Sequence, residues 1–173
     1  MDYQLPNEVK NILDKFQKAN FQIYIVGGAV RDLLMKKGVK DWDFTTDAKP
    51  EEILKIIPEG FYDNKFGTVG LAVGDGVFEI TTMRKEGVYK DFRHPEEVSW
   101  TNKIAEDLAR RDFTINAIAL KLVGKSNSFE MIDPYKGELD LGKKTIKAVG
   151  DANQRFKEDA LRLLRAIRIA TEL

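Results

Sequence analysis

The chain has 173 residues, with 28 lysines and arginines against 28 aspartates and glutamates, and this length predicts one domain or one domain and the start of another. The lack of cysteine and the single histidine, His94, exclude disulfides and thiolate metal sites and leave little for a zinc site. No apolar run approaches the roughly 20 residues of a membrane span, and the N-terminus does not resemble a signal peptide, so we expect a cytoplasmic protein without membrane contact.

Hydrophobic periodicity and turn-forming residues predict five elements in the first third of the chain. They are a helix over 6–19, a strand over 21–26 that ends on Gly27-Gly28, a helix over 29–37, a strand over 41–46 and a helix over 50–57. The remainder predicts a hairpin, two further helices and two more strands. They are strands 68–73 and 77–84 joined by Gly74-Asp75-Gly76, a mobile loop over 85–100 leading into a strand, a helix over 103–120 with a candidate break at Arg111-Asp112, a strand into a turn over 128–137, and a final helix from Asn153. Because strands and helices do not alternate regularly, we predict an α+β domain with a small mixed sheet.

The stretch "DWDFTTD" contains the first candidate chemistry. Side chains alternate along a strand, so Asp41 and Asp43 share one face while Trp42 and Phe44 share the other and can enter the core. Two carboxylates on one surface repel unless a cation lies between them, and a pair of Mg²⁺ ions suits them. If the strand that contains Glu79 runs alongside, Glu79 supplies a third carboxylate. A solvated pair at a strand edge fits the same spacing.

The glycine pair Gly27-Gly28 stands between a predicted strand and a predicted helix. Glycines let the backbone approach a ligand closely, and a helix N-terminus favours phosphate. Arg31 would then hold a phosphate oxygen, with Asp32 orienting the arginine. A tight turn with an exposed Arg–Asp pair is the alternative, and the patterns of P-loop and Rossmann sites are absent.

The C-terminal part of the chain is basic. From Lys143 to Leu173 it contains eight lysines and arginines against four acidic residues. Such a surface suits phosphates, although a solvated helix face has the same composition.

These stretches resemble one known family over residues 21–171. The segment "VGGAVRDLLMKKGVKDWDFTTDAKPEEI" resembles the first signature of class II tRNA nucleotidyltransferases and bacterial poly(A) polymerases. Four later stretches resemble, in order, the third strand with its flexible loop, the R-R-D-F-T-I-N-A signature, the D-P-[FY]-x-G linker and the nucleotide-selecting E-D-x-x-R helix. They are "EITTMRKEGVYKDFRHPEEVSW", "IAEDLARRDFTINAIAL", "IDPYKGELDLGKKTIKAVGD" and "RFKEDALRLLRAIRIA". One departure is Arg93-His94-Pro95, where the family loop usually has a second arginine, and His94 is interpreted as a tolerated substitution.

The resemblance implies a nucleotidyltransferase head of the DNA polymerase beta type over residues 1–147 and the start of an all-α neck over 148–173. Members of the family continue through body and tail domains, so we expect a fragment or an unusually short protein. The implied cofactor is Mg²⁺ at Asp41 and Asp43, with Glu79 as a further catalytic carboxylate. The implied nucleotide-binding residues are Gly27, Gly28, Arg31, Arg111, Asp112, Asp159, Arg162, Arg165 and Arg168.

Individual roles follow from the same resemblance. Gly28 and Arg31 would contact the triphosphate, and Arg111 would lie near the nucleotide. Asp112 would shape that junction, and it is also a candidate N-cap for a helix over "FTINAIAL". Arg84 is expected to face either the site or solvent.

Helical geometry is compatible with the implied recognition of the base by Asp159 and Arg162. At about 100° per residue, one side of the last helix is apolar. Its residues are Phe156, Ala160, Leu163, Leu164 and Ile167. Asp159 and Arg162 would be neighbours on the polar arc, continued by Arg165 and Arg168, and would pair with the Watson–Crick edge of C or A. A salt bridge on a solvated face is the alternative and stabilises a helix by only about 0.2–0.5 kcal/mol.

The implied function is Mg²⁺-dependent addition of C and/or A from CTP or ATP to the 3′ end of tRNA, with release of pyrophosphate. Poly(A) polymerase and partial CC-adding or A-adding enzymes share these motifs and remain alternatives. A non-catalytic module that binds RNA or nucleotide is an alternative of another class, although such a module would be expected to lack Asp41 or Asp43.

Overall fold

The computed structural model describes residues 3–64, 66–74, 76–87, 97–124 and 128–173. Its helices and strands are numbered separately in chain order. They are α1 (Asn7–Lys18), β1 (Ile23–Val26), α2 (Gly27–Leu34), β2 (Asp43–Thr46), α3 (Pro50–Ile56), β3 (Phe61–Asn64), β4 (Thr68–Val73), β5 (Gly76–Thr82), β6 (Arg84–Glu86), β7 (Val98–Trp100), α4 (Ile104–Ala109), a 3-10 turn (Thr114–Asn116), β8 (Ala119–Val123), β9 (Ser128–Ile132), α5 (Gly137–Gly142), α6 (Ala152–Glu158) and α7 (Leu161–Glu172).

Seven strands form one mixed sheet in the order β3-β4-β5-β2-β1-β8-β9, and β6 pairs with β7 as a separate ribbon. Within the seven-stranded sheet, β2 and β5 run parallel, whereas the other neighbours run antiparallel. The predicted α+β class with a mixed, largely antiparallel sheet is therefore confirmed. The sheet is larger than predicted because β3 and β8 were not recognised as strands.

The main hydrophobic core includes the buried residues of α1 and of several strands of the sheet. The buried residues of α1 are Val9, Ile12, Leu13 and Phe16. Trp42 and Phe44 are buried in the same cluster, with ring centroids 6.5 and 6.1 Å from that of Phe78. The predicted burial of Trp42 and Phe44 is thus confirmed, although β2 begins at Asp43 and leaves residues 41 and 42 of the predicted strand outside it. This packing fixes the strand that carries Asp43.

The predicted helix over 103–120 is wrong beyond its first half. Helix α4 ends at Ala109, a 3-10 turn follows, and Ala119–Val123 forms a strand between β1 and β9. Ala119 and Leu120 are fully buried there, and a short buried strand has the same continuous apolar sequence as a buried helix. The predicted N-cap role of Asp112 is also wrong, since no α-helix follows it. Instead its Oδ1 accepts hydrogen bonds from the N–H of Phe113 at 2.8 Å and Nδ2 of Asn116 at 3.2 Å.

The predicted final helix is two helices. Asp159 has an extended backbone, φ −144° and ψ 109°, and separates α6 from α7. The predicted apolar side of α7 is not its buried side, because Leu164 and Ile167 are 64% and 65% exposed while Arg162 is buried. Arg162 is held by carbonyl oxygens of Arg155 and Arg110. These polar anchors, rather than the leucines, therefore orient α7.

The segment around the predicted loop contains the short strands β6 and β7. Strand β7 confirms the strand expected after the loop, whereas β6 was not predicted. The loop residues 88–96, with Arg93, His94 and Pro95, lie outside the described residues, as does Asp75 of the hairpin turn. None of the helices in the described ranges is long and apolar enough to cross a bilayer.

Candidate active site

A cleft of about 980 Å³ opens where the first residues of α2 and β2 meet α7. It brings together eleven of the twelve site residues that the sequence predicted. They are Gly27, Gly28, Arg31, Asp41, Asp43, Arg111, Asp112, Asp159, Arg162, Arg165 and Arg168. The twelfth, Glu79, is exposed and does not line this cleft.

Asp43 begins β2, and the parallel register of β2 and β5 places Glu79 directly beside it. Burial raises the pKa of Asp43 from 3.8 to about 6, and the charges of Glu79 and Asp41 add to the rise against the opposing effects of Arg111 and Arg165. The strand arrangement therefore creates a local concentration of negative charge that favours a cation.

The oxygen donors of Asp41 and Asp43 suit a hard divalent cation. The raised pKa of Asp43 indicates that this carboxylate is poorly compensated by the protein alone. No three acidic or histidine side chains within the described ranges converge as metal ligands. The donor set therefore fits a cation that takes two carboxylates from the protein, and the role of Glu79 as a third stays a prediction.

Gly27 lies beside the carboxylate of Asp43. It has φ +69°, and a Cβ there would lie 3.0 Å from Oδ2 of Asp43 and 3.2 Å from Nη1 of Arg111. A Cβ on Gly28 would contact only Nη2 of Arg31, at 3.8 Å. Gly27 rather than Gly28 therefore leaves space beside Asp43 and Arg111, and the predicted approach of the glycine pair to a ligand stays a prediction.

Arg31 is buried and held at three points. Its Nε donates to Asp32 at 3.0 Å, Nη1 to Asn116 Oδ1 at 3.2 Å and Nη2 to Glu172 Oε2 at 3.4 Å. The predicted pair with Asp32 is present, whereas Asn116 and Glu172 were not recognised. Three acceptors on one guanidinium fix its position at the cleft wall.

Asp107 was not among the predicted site residues, although it contacts two arginines of the cleft. Its carboxylate is fully buried and contacts Arg110 and Arg111. Burial alone would raise its pKa, but the two arginines and the hydrogen bonds outweigh this effect, so the pKa lies below its usual range. The spacing of Asp107 three and four residues before two arginines on a helix was the available signal.

Arg84 faces the cleft, which decides between the two orientations that the sequence left open. Its Nη2 donates to Oε1 of Glu86 at 2.7 Å, and its guanidinium lies 5.5 Å from the centre of the Phe66 ring. Arg110 reaches the same Glu86 oxygen at 3.2 Å. Strand β6 thus joins the cleft through shared ion pairs.

The residues predicted to recognise the base reach the cleft from two elements rather than one helix. Asp159 Oδ1 accepts from the N–H of Leu161 at 2.9 Å, at the start of α7. Arg162 donates to Glu158 Oε2 at 2.7 Å. The predicted polar arc of Asp159 and Arg162 on a single helix is therefore wrong, because the backbone is extended at Asp159 and α7 begins only at Leu161.

Arg165 and Arg168 line the outer part of the cleft. Arg165 Nε donates to Oδ2 of Asp112 at 2.7 Å, so α7 is tied to the segment after α4. Arg168 is more exposed and lies 3.7 Å from Glu172. A surface ion pair of this kind is weak, and Arg168 therefore offers a cation at the mouth of the cleft.

Solved structures of known proteins share this fold. The structure of Bacillus stearothermophilus CCA-adding enzyme in complex with CTP matches 95% of this chain with a TM-score of 0.79 and 34% identity. A tRNA nucleotidyltransferase complexed with a primer tRNA and an incoming ATP analogue matches 92% with a TM-score of 0.69 and 32% identity. The fold is that of the nucleotidyltransferases.

A sequence profile of the Poly A polymerase head domain matches residues 23–147. The chain belongs to this family of poly(A) polymerase head domains. The CCA-adding enzyme of Listeria innocua is 44% identical over 94% of this chain, and that of Staphylococcus haemolyticus is 44% identical over all of it. The chain spans only 40% and 42% of the lengths of these two relatives.

Proposed function

We propose that this chain is the catalytic head of an Mg²⁺-dependent, template-independent nucleotidyltransferase. It adds C and/or A from CTP or ATP to the 3′ end of tRNA and releases pyrophosphate. The observation that supports this most directly is the Asp41–Asp43 pair in one cleft with Gly27, Arg31 and Arg111. Relatives named CCA-adding enzyme over almost the whole chain support the choice of tRNA. Because tRNA is the proposed substrate, the proposal also implies a cytoplasmic location.

In this proposal Asp41 and Asp43 hold Mg²⁺. When bound, Mg²⁺ lowers the barrier for attack of the 3′-hydroxyl on the α-phosphate and neutralises the leaving pyrophosphate. Arg31 and Arg111 supply fixed positive charge for the triphosphate, and Gly27 leaves room for the ligand beside Asp43. Positioning and charge neutralisation account for most of the catalysis in phosphoryl-type transfer.

We further propose that Asp159 and Arg162 select the base, with Arg165 and Arg168 lining the same part of the cleft. One oxygen of Asp159 accepts from Leu161, and the other has no partner among the described residues, which leaves it available to an exocyclic amine. Arg162 supplies donors from α7. Asp112 supports this arrangement through its contact with Arg165.

The domain division proposed here is a head over residues 1–147 and the beginning of a helical neck over 148–173. The family profile ends at residue 147, and α6 and α7 follow it. The division assigns catalysis to the head and base recognition to the junction between the head and α7.

Poly(A) polymerase is the second candidate, because the matching family profile carries that description. Enzymes that add only CC or only A fit the same cleft. A non-catalytic module that binds RNA or nucleotide is disfavoured by the retention of both Asp41 and Asp43.

The test is incorporation of labelled CTP or ATP by the 173-residue chain with Mg²⁺. The primers are tRNAs that end before CCA, after the first C and after CC. We expect incorporation that disappears in Asp41→Ala and persists in Asp47→Asn, a control at the other end of β2. The accepted primer and nucleotide distinguish CCA addition from CC addition, A addition and tailing.

Nucleotide binding gives the second part of the test. CTP or ATP binding that is lost in Arg162→Ala, without incorporation, would indicate a competent head that needs further RNA-binding parts. No binding of either nucleotide would contradict the proposed function.

A further inference from the structure

Asp107 joins three residues of the cleft wall, which come from two segments of the chain, through one buried carboxylate. Its Oδ1 accepts from Nε of Arg110 at 3.0 Å and from the N–H of Arg84 at 3.2 Å. Its Oδ2 accepts from Nη2 of Arg111 at 3.3 Å. The side chain is 0% exposed, so it acts on a ligand only through these partners.

Arg111 depends on this contact for its position. Among the described residues, Arg111 forms an ion pair only with Asp107. Its Nε is buried and has no hydrogen-bond partner among these residues. Its Nη1 borders the space beside the Gly27 Cα, as does Oδ2 of Asp43. Arg111 and Asp43 are therefore neighbours, yet no ion pair joins them in the described structure.

This separation is unexpected for an arginine beside a poorly compensated carboxylate. Guanidinium and carboxylate groups favour a bidentate pair with two parallel hydrogen bonds. Asp107 occupies Nη2, one of the donors that such a pair would use. An arginine released from Asp107 would close onto Asp43 and occupy oxygens that a cation needs.

We propose that Asp107 is a positioning residue that restrains Arg111, so that Asp43 stays open to a divalent cation while a positive charge remains beside it. This inference rests on the proposed metal-dependent function and adds a control on its metal site. A purely structural Asp107, which only anchors Arg84 and Arg110, would change stability without changing cation affinity.

The test measures binding of Mn²⁺ to the nucleotide-free protein from the electron paramagnetic resonance signal of free Mn²⁺. We expect Asp107→Asn to weaken Mn²⁺ binding roughly three- to tenfold, because an ion pair between Arg111 and Asp43 then competes with the cation. Asp47→Asn is the matched control. Its carboxylate accepts two hydrogen bonds from Gln22 away from the cleft, and we expect unchanged affinity.

A double-mutant comparison separates restraint from simple loss of negative charge. In an Arg111→Gln background, Asp107→Asn should no longer weaken Mn²⁺ binding, because the competing arginine is absent. Equal weakening in both backgrounds would overturn the proposal in favour of a bulk charge effect. Unchanged affinity in folded Asp107→Asn would overturn it as well.

Circular dichroism verifies that each variant is folded. If Asp107→Asn does not fold, Asp107→Ser replaces it, since it also removes the carboxylate that holds Arg111. If this variant weakens Mn²⁺ binding and Arg111→Gln abolishes that weakening, the proposal is supported. Unchanged Mn²⁺ affinity overturns it. If wild type and Asp41→Asn bind Mn²⁺ equally poorly, the proposed metal site fails, and this inference fails with it. Mn²⁺ binding that requires Asp41 but is unchanged by substitution of Asp107 overturns this inference and leaves the proposed metal site intact.

Discussion

At the scale of single residues, the candidate site depends on how closely side chains from separate elements approach. Gly27 opens α2, Asp43 opens β2, and Arg111 follows α4. The missing side chain of Gly27 is what lets the other two share one space. The sequence indicated Gly27 and Asp43 through their motifs, but their contact with Arg111 depends on tertiary packing that no local pattern encodes.

Gly27→Ala tests this close approach. The left-handed backbone should cost roughly 1–2 kcal/mol in stability, and the new methyl group should displace Asp43 and Arg111 and abolish nucleotide incorporation. Gly74→Ala is the matched control, because Gly74 also has a positive φ but a Cβ there would meet nothing within 4 Å. Thermal unfolding and incorporation assays on both variants check the prediction. Equal activity of the two variants would refute it.

Asp43→Asn tests the electrostatic cost of the site. The pKa of Asp43 is raised to about 6 in the folded protein from 3.8, so the folded state holds this proton more tightly than the unfolded state. The resulting penalty is absent below pH 3.8, grows as the pH rises and is complete above about pH 6. At pH 7.5 without metal, we expect Asp43→Asn to be more stable than wild type by up to about 3 kcal/mol.

Thermal unfolding from pH 4 to pH 7.5 in a chelating buffer measures this difference. The two proteins should converge toward pH 4, and Mg²⁺ should stabilise wild type but not Asp43→Asn. A stability gap that does not vary with pH would show that Asp43 does not titrate as described.

At the scale of elements, the break between α6 and α7 decides which residues face the cleft. The sequence showed one continuous amphipathic pattern over both helices. The spacing of its apolar residues predicted that Leu163 and Leu164 face the core. The extended conformation of Asp159 and the buried contacts of Arg162 override that phase. Hydrogen bonds between a guanidinium and distant carbonyl groups are invisible to periodicity, so the prediction failed at this point.

Asp159 variants separate the helix-starting role of this residue from base recognition. Asp159→Asn keeps an acceptor for the N–H of Leu161, whereas Asp159→Ala removes it and should cost about 0.5–1.5 kcal/mol. If Asp159 also contacts the base, both variants should lose CTP and ATP binding, while only the alanine variant loses stability. Calorimetric titration and thermal unfolding measure the two effects. Full nucleotide binding by Asp159→Asn would exclude a role for the charge.

The same scale shows which elements a sequence can define. The hairpin β4–β5 and helix α1 were predicted because turn residues and periodicity agree there. The first two residues of β8, 119 and 120, were assigned to a helix because "INAIAL" is largely apolar without alternation, and both faces of β8 are covered at its start. Burial on two sides removes the period that would distinguish a strand from a helix.

At the scale of the whole molecule, α7 presents an uncovered apolar row outside the core. Its members are Leu161, Leu163, Leu164 and Ile167. The opposite side of the same helix packs Ile169 against Phe113 and Ile115. The helix is thus attached to the head by one narrow face.

Two isoleucines on α7 give a matched comparison of its faces. Ile167→Ala should change the free energy of unfolding by no more than about 0.5 kcal/mol, because Ile167 is largely exposed. Ile169→Ala should cost about 2–5 kcal/mol, since Ile169 is fully buried. Denaturant unfolding of both variants measures the difference. Similar losses in the two would contradict the assignment of the faces.

The pairing of β2 has a consequence for the order of folding. Its more distant partner in sequence is β5, since Asp43 pairs with Glu79 there but with Val26 of β1. The hairpins β4–β5 and β8–β9 join near neighbours instead. Closing long loops is slow compared with forming hairpins, so the carboxylate strand should pair with β5 late. Cation binding during refolding should therefore report a late step, and a nascent chain would gain this support for its metal site only after Glu79 has been synthesised.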